Sequence, residues 1–147
     1  MAKFEIAKEL PVGVEEEHIT LPKRSTEQSA GYDLVSAVCS VVPPHDRVLI
    51  PTGVTCKLAS NEYLQVVPRS GLALKKGITV LNTPGTVDAD YYPNCIGVIL
   101  YNTTDEAFQV FVGDRIAQGI IHEYKVTEGD NAEGERTGGF GSTGIGG

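Results

Sequence analysis

Short apolar runs, broken by turn-forming residues about every 8–12 positions, set the pattern of this chain. Phe4 and Ile6 alternate with Glu5 and Ala7 and predict a first short strand. Further extended runs are predicted at 31–38, 47–51, 54–58, 63–67, 98–101, 108–111 and 115–124. Such a series favours an all-β sandwich or barrel.

Two pairs of neighbouring runs are predicted to form hairpins, because a short polar segment separates the members of each pair. The first pair joins 54–58 to 63–67, and the second joins 98–101 to 108–111. Both pairings would place consecutive strands side by side.

One segment, 70–77, predicts a helix, with Ser70 as its N-cap and Gly77 as its stop. The β-rich core is expected to cover 1–125. The acidic stretch 126–135 cannot bury a core and predicts a flexible linker. A glycine-rich arm, 136–147, follows it.

Composition narrows the class of protein. A length of 147 residues indicates one domain, and a net charge of −7 disfavours non-specific binding to nucleic acid. The chain shows no apolar run long enough to cross a membrane and no visible signal peptide. Cys39, Cys56 and Cys95 form no C-x-x-C pair, which argues against a disulfide framework or a zinc site. We therefore expect buried thiols and a cytoplasmic protein without membrane partners.

The stretch 82–92 carries the first candidate chemistry. Asp88 and Asp90 would share a face in an extended segment, because side chains alternate along a strand. Pro84 and Gly85 permit a bend just before them. The alternative interpretation is an acidic hairpin face exposed to water.

Two internal segments are candidates for binding an anion. The segment 68–71 ends a strand and begins the predicted helix, and it offers Arg69 and Ser70. Its alternative is a capped helix with a surface arginine. The segment 113–118 turns into a strand that carries an arginine and a glutamine, and its alternative is a hairpin turn with an ion pair.

The arm is a third anion candidate. Glycines let backbone N–H groups converge on a phosphate, Arg136 adds a forked cation, and Phe140 adds a flat face for stacking. The spacing is not that of a Walker loop. The composition favours a phosphate-and-base clamp that orders on binding, and the alternative is a structureless tail.

Five stretches, taken in order, resemble the trimeric dUTPase family. They are Ala30-Gly31-Tyr32-Asp33-Leu34, Pro68-Arg69-Ser70-Gly71-Leu72-Ala73, Gly85-Thr86-Val87-Asp88-Ala89-Asp90-Tyr91, Gly113-Asp114-Arg115-Ile116-Ala117-Gln118, and residues 136–144. The resemblance implies a distorted jelly-roll or β-clip barrel of short strands, with one short helix and a flexible C-terminal arm. It also implies a homotrimer with shared active sites that uses Mg²⁺ to hydrolyse dUTP to dUMP and pyrophosphate. That reaction lowers dUTP and supplies dUMP for thymidylate synthesis.

The resemblance also implies roles for individual residues. Asp88 holds the water that attacks the α-phosphorus, Tyr91 packs under the deoxyribose, and Asp33 acts on the metal through water. The uracil-binding positions are Asn82, Gly85, Thr86, Val87 and Gly97. The positions that contact phosphate are Arg69, Ser70, Gly71 and Gln118. The arm positions that close over a neighbouring subunit's site are Arg136, Phe140, Gly141, Ser142 and Thr143. Asp90 is expected to be a structural partner of a nearby cation.

The chain departs from the usual family pattern in three places. The return loop 92–96 is one residue longer than in common members, the arm has a shorter spacing between Arg136 and Phe140, and position 86 is Thr rather than aliphatic. Two alternative functions share the scaffold: a dCTP deaminase-like enzyme, and a non-catalytic or dual-role nucleotide-sensing module.

Overall fold

A computed structural model of the chain describes residues 1–141, 144 and 145. Within these residues lie one α-helix, α1 (Ser70–Lys76), and two 3-10 turns (Glu16–His18 and Ala89–Tyr91). The strands are β1 (Lys3–Ile6), β2 (Lys23–Arg24), β3 (Tyr32–Val35), β4 (Ser40–Val42), β5 (Arg47–Pro51), β6 (Val54–Lys57), β7 (Glu62–Val67), β8 (Ile78–Val80), β9 (Gly85–Asp88), β10 (Gly97–Asn102), β11 (Phe108–Val110) and β12 (Arg115–Glu123). The predicted all-β class is confirmed. No helix among the described residues combines the length and apolar character needed to cross a membrane.

The strands form four antiparallel sheets. Their orders are β1-β6, β5-β10-β8, β11-β4 and β2-β3-β12-β7-β9. β12 is the longest strand and pairs on both edges, with β3 on one side and β7 on the other. Four of the short strands, β2, β4, β8 and β9, lie outside the predicted runs.

Both predicted hairpins are wrong. β6 pairs with β1, while β7 pairs with β12 and β9, and β10 pairs with β5 and β8 rather than with β11. The buried side chain of Asn102 explains the second departure. Its Nδ2 donates to the carbonyl of Val42 at 3.0 Å and to that of Glu106 at 2.7 Å. These bonds hold the loop after β10 against the end of β4, and β11 pairs with β4.

The helix begins one residue earlier than the predicted N-cap implies. Ser70 is the first helical residue, and the N-cap position belongs to Arg69, whose backbone is extended (φ −93°, ψ 131°). The extended path of β7 continues through Arg69, whose carbonyl accepts the first helical bond from the N–H of Ala73 at 3.1 Å. Gly77 ends the helix in a left-handed conformation (φ 64°), as predicted.

The core lies between the sheets and consists of aliphatic side chains from most strands. Its largest fully buried members include Leu34, Ile50, Leu64, Ile78, Ile96, Leu100 and Ile116. All three cysteines are free thiols. Burial raises the pKa of the Cys56 thiol to about 11. The expectation of buried thiols is wrong for Cys39, which is exposed.

Leu64 tests how the central sheet is packed. It is fully buried, and a Cβ on Gly119 would lie 2.9 Å from its Cδ1, so β12 and β7 approach closely there. We expect Leu64→Ala to lower the free energy of unfolding by about 2–5 kcal/mol, because the removed side-chain atoms leave a cavity that the packed neighbours do not fill. Urea denaturation followed by circular dichroism measures this change.

The matched control is Leu74→Ala, because Leu74 is 86% exposed. Its effect should stay within about 0.5 kcal/mol. Equal losses in the two variants would contradict this packing.

Candidate active site

The segment between β8 and β10 forms the wall of the first cavity. β9 pairs with β7 so that Asp88 lies opposite Tyr63. The chain then enters the 3-10 turn Ala89–Tyr91 instead of staying extended. The prediction that Asp88 and Asp90 share a face through strand alternation is therefore wrong, because the strand ends at Asp88.

A cavity of about 160 Å³, here called the hairpin cavity, lies against this segment. It brings together most of the residues predicted to bind the nucleoside. Its lining consists of Asn82, Thr86, Val87, Asp88, Tyr91, Ile96, Gly97, Arg136, Gly139 and Phe140. Gly85 is buried behind it, where an added Cβ would lie 3.3 Å from Cβ of Val66.

Arg136 joins the two carboxylates. Its Nη2 bonds to Oδ2 of Asp88, and its Nε donates to Oδ1 of Asp90 at 2.6 Å. The hydrogen bond to Asp90 is the main cause that raises the pKa of Arg136. The side chain of Arg136 is 25% exposed and those of Asp88 and Asp90 are 50% and 60% exposed, so water screens both ion pairs. Asp90 thus has the cationic partner expected for it.

Tyr91 stands beside the carboxylates with a fixed ring. Its Oη donates to the carbonyl of Cys95 at 2.6 Å, and burial raises its pKa. A Cβ on Gly139 would lie 2.8 Å from Cε1 of Tyr91. Only a glycine lets the arm lie this close to the ring.

Leu49 is a cavity neighbour that the sequence analysis missed. An added Cβ on Gly97 would lie 2.7 Å from Cδ1 of Leu49 and 3.6 Å from Cζ of Phe140. Because Gly97 has no side chain, Leu49 and Phe140 can both approach its backbone. The available signal was a leucine that alternation along the predicted strand places on the opposite face from Val48 and Ile50. In the structure this side chain is 50% exposed.

A second cavity of about 180 Å³, here called the β3 cavity, collects the residues predicted to contact phosphate and metal. Its lining consists of Ser25, Ser29, Gly31, Asp33, Arg69, Ser70, Gly71 and Gln118. Ser25 and Ser29 were missed, because they lie in a loop outside the five stretches. The Nη1 of Arg24 shapes that loop by donating to the carbonyls of Glu27 at 2.6 Å and Ser29 at 3.2 Å.

Asp33 is the electrostatic centre of the β3 cavity. Its carboxylate lies 3.3 Å from Nε of Arg69 and 3.8 Å from Nη1 of Arg115, and it accepts a hydrogen bond from Oγ of Ser25 at 3.0 Å. Gln118 donates to the carbonyl of Pro68 at 3.0 Å. One cationic side chain, Arg69, and several hydrogen-bonding groups thus line one polar cavity, which suits an anion, and Arg115 lies just outside this lining.

The five-stranded sheet separates the two cavities. Asp33 is opposite Gln118, Gln118 is opposite Val67, and Asp88 is opposite Tyr63. Three strand spacings of about 4.8 Å and four residues of about 3.4 Å each put Asp33 and Asp88 about 20 Å apart. Among the described residues, none lines both cavities.

The arm lies over the segment between β8 and β10 of its own chain. Phe140 has a left-handed backbone (φ 50°) and lines the hairpin cavity, and Gly141 is exposed beside it. Ser142 and Thr143 lie outside the described residues. The reach of the arm to a neighbouring subunit stays a prediction.

Comparison with known proteins gives a consistent result. The dUTPase family model matches residues 17–144. The deoxyuridine 5'-triphosphate nucleotidohydrolase of Helicobacter hepaticus is 44% identical over 135 residues, which are 87% of this chain and 84% of that protein.

Solved structures agree in fold. The crystal structure of dUTPase from Streptococcus mutans superposes with a TM-score of 0.76 at 33% identity, and covers 86% of this chain and 98% of that one. The dUTPase of phage phi11 of S. aureus, whose structure concerns the coordination of a structural Mg(II) ion, gives a TM-score of 0.75 at 21% identity. It covers 91% of this chain and 97% of that one. The second likeness supports the fold alone.

The contact between Arg136 and the two carboxylates can be tested in the free protein. An arginine-specific protease must take up the Arg136 guanidinium, so pairing slows cleavage after this residue. We expect Asp90→Asn to speed cleavage about two- to fivefold, the effect of an exposed ion pair. Mass spectrometry of the released peptide measures the rate. Asp130→Asn, an equal charge change in the linker, is the control, and equal rates in both variants would contradict the contact.

Proposed function

Because this chain belongs to the dUTPase family and is a dUTP nucleotidohydrolase, we propose that Asp88 holds the water that cleaves dUTP to dUMP and pyrophosphate. The observation that carries this proposal is the grouping of Asp88, Tyr91 and Arg136 around one cavity. Water attacks the α-phosphorus, the bond to the bridging oxygen of pyrophosphate breaks, and Asp88 accepts the proton of the water. The dCTP deaminase alternative is not favoured, because the matching family model and relatives are dUTPases.

The backbone of β9 is suited to recognise uracil. β9 lies at the edge of its sheet and, among the described strands, pairs on one side only, with β7. Its outer N–H and C=O groups are therefore available to a ligand. Uracil presents one N–H donor between two carbonyl acceptors, and a matching edge rejects cytosine by leaving buried polar groups unpaired.

The sugar and the base contact the other walls of the hairpin cavity. Tyr91 packs under the deoxyribose and leaves no room for a 2′-hydroxyl, since its hydroxyl is held by Cys95. Phe140 stacks on the base from the arm, and Gly97 gives it space to approach. Asn82 lines the same cavity and assists the base contact.

The β3 cavity takes the phosphates. Arg69, Ser70 and Gln118 supply a cation, a hydroxyl and an amide, and Gly71 has no side chain to block the approach. When the nucleotide binds, Arg136 leaves Asp88 for the terminal phosphate, and this exchange frees the carboxylate for water. Stabilising the charge that develops on the phosphates is the larger part of the catalysis.

The residues present fit a magnesium ion that is held through water. Mg²⁺ prefers oxygen ligands, keeps several waters, and binds through one or two carboxylates together with substrate phosphates. The oxygens of Asp33 already face Arg69 and Ser25, an arrangement that suits contact through a metal-bound water. When bound, the ion would neutralise phosphate charge.

We propose a homotrimer in which each complete site combines the hairpin cavity of one subunit with the β3 cavity of another. The separation of about 20 Å between Asp33 and Asp88 supports this assembly, since one α-phosphate does not contact both groups of one chain. The free thiols support a reducing location such as the cytoplasm.

The Asp88→Asn variant tests the catalytic assignment. Asparagine keeps the shape of the side chain but accepts protons poorly, so kcat should fall about 10²- to 10⁴-fold. Pyrophosphate release measures turnover, and calorimetry with a non-hydrolysable dUTP analogue should show retained binding.

The control is Asp90→Asn, which removes the same charge from the other partner of Arg136 and should keep most of the turnover. Undiminished pyrophosphate release by Asp88→Asn would overturn the assignment of the base.

A further inference from the structure

The loop that follows Tyr91 is tied to the N-terminal strand, which lies outside both cavities. Tyr92 donates from Oη to Oε1 of Glu5 at 2.8 Å. The N–H of Lys8 donates to the carbonyl of Pro93 at 3.2 Å. The position of this loop therefore depends on β1 and the residues just after it, which are distant in sequence.

The same loop holds Tyr91 at two points. Tyr91 donates from its hydroxyl to the carbonyl of Cys95 at 2.6 Å, and its own carbonyl accepts the N–H of Asn94 at 3.0 Å. Ile96, which follows Cys95, is fully buried and donates its N–H to the carbonyl of Val54 at 2.8 Å. The far end of the loop is thus fixed to β6, and the near end is fixed through Tyr92.

Charge strengthens the bond between Glu5 and Tyr92. This bond lowers the pKa of the Glu5 carboxyl and raises the pKa of the Tyr92 hydroxyl. At neutral pH the donor keeps its proton and the acceptor is ionised, which makes the bond charge-assisted. Lys3 lies 3.6 Å from Glu5, and Nζ of Lys57 lies 6.0 Å from the centre of the Tyr92 ring. Both cations also lower the pKa of the Glu5 carboxyl.

We propose that Glu5 and Tyr92 are positioning residues that hold the Tyr91 ring where it excludes a ribose 2′-hydroxyl, and that they thereby set the selectivity for deoxyribonucleotides. The inference rests on the proposed sugar contact of Tyr91. A loosened ring gives room to the larger sugar, whereas the smaller sugar keeps its other contacts. Breaking the tether should consequently alter selectivity more than it alters the rate with dUTP.

The experiment compares kcat/KM for dUTP and for UTP in Tyr92→Phe and Glu5→Gln. The loss of one hydrogen bond should lower the ratio of the two values about two- to tenfold, mainly through faster turnover of UTP. Glu5→Gln keeps an amide oxygen that accepts the Tyr92 hydroxyl without the charge, so its ratio should change less, and the double variant should match Tyr92→Phe, which already lacks the bond. A purely structural defect would lower both values together with the melting temperature, and that result would overturn the proposal.

Two further variants separate the possible failures. Tyr124→Phe is the matched control, because Tyr124 donates its hydroxyl to the carbonyl of Ser60 at 2.9 Å outside both cavities. Its ratio should equal that of the wild type. An unchanged ratio in Tyr91→Ala would overturn the sugar contact, and the tether with it. A lowered ratio in Tyr91→Ala with none in Tyr92→Phe or Glu5→Gln would overturn the tether alone.

Discussion

The pairing of β12 with β3 on one edge and with β7 on the other fixes the distance between the two halves of the site. Backbone hydrogen bonds set this geometry, so side-chain motion cannot bring Asp33 and Asp88 together. In the proposed function, an α-phosphate that needs both groups meets them on different chains. The proposed assembly is in this sense a consequence of sheet register.

Arg136 connects this geometry to the reaction. In the free chain it neutralises Asp88 and Asp90, two carboxylates that would otherwise repel each other and the triphosphate. A protein with a net charge of −7 needs such concentrated cations to accept a polyanion. Asp90 holds Arg136 near the cavity, and in the proposed function the substrate phosphates replace the carboxylates as its partner.

Sequence patterns predicted what depends on local order. The limits of β5, the stop at Gly77 and the grouping of Asp88 with Tyr91 all follow from neighbouring residues. The contacts that the sequence patterns did not predict join distant segments. Asn102 bonds to Val42, and Glu5 bonds to Tyr92 across 87 positions. Such partners depend on how strands are distributed among sheets, which alternation and turn signals do not encode.

Mixing two inactive variants tests the shared site most directly. One subunit carries Asp88→Asn and the other carries Arg69→Ala, so each damages a different cavity, and the two are unfolded together and refolded in equal amounts. If each site draws its two halves from different subunits, random assembly places both intact halves together in about one quarter of the sites, and the mixture recovers about a quarter of the wild-type turnover. If both halves came from one chain, every chain would remain damaged, and activity no higher than that of the separate variants would contradict the account.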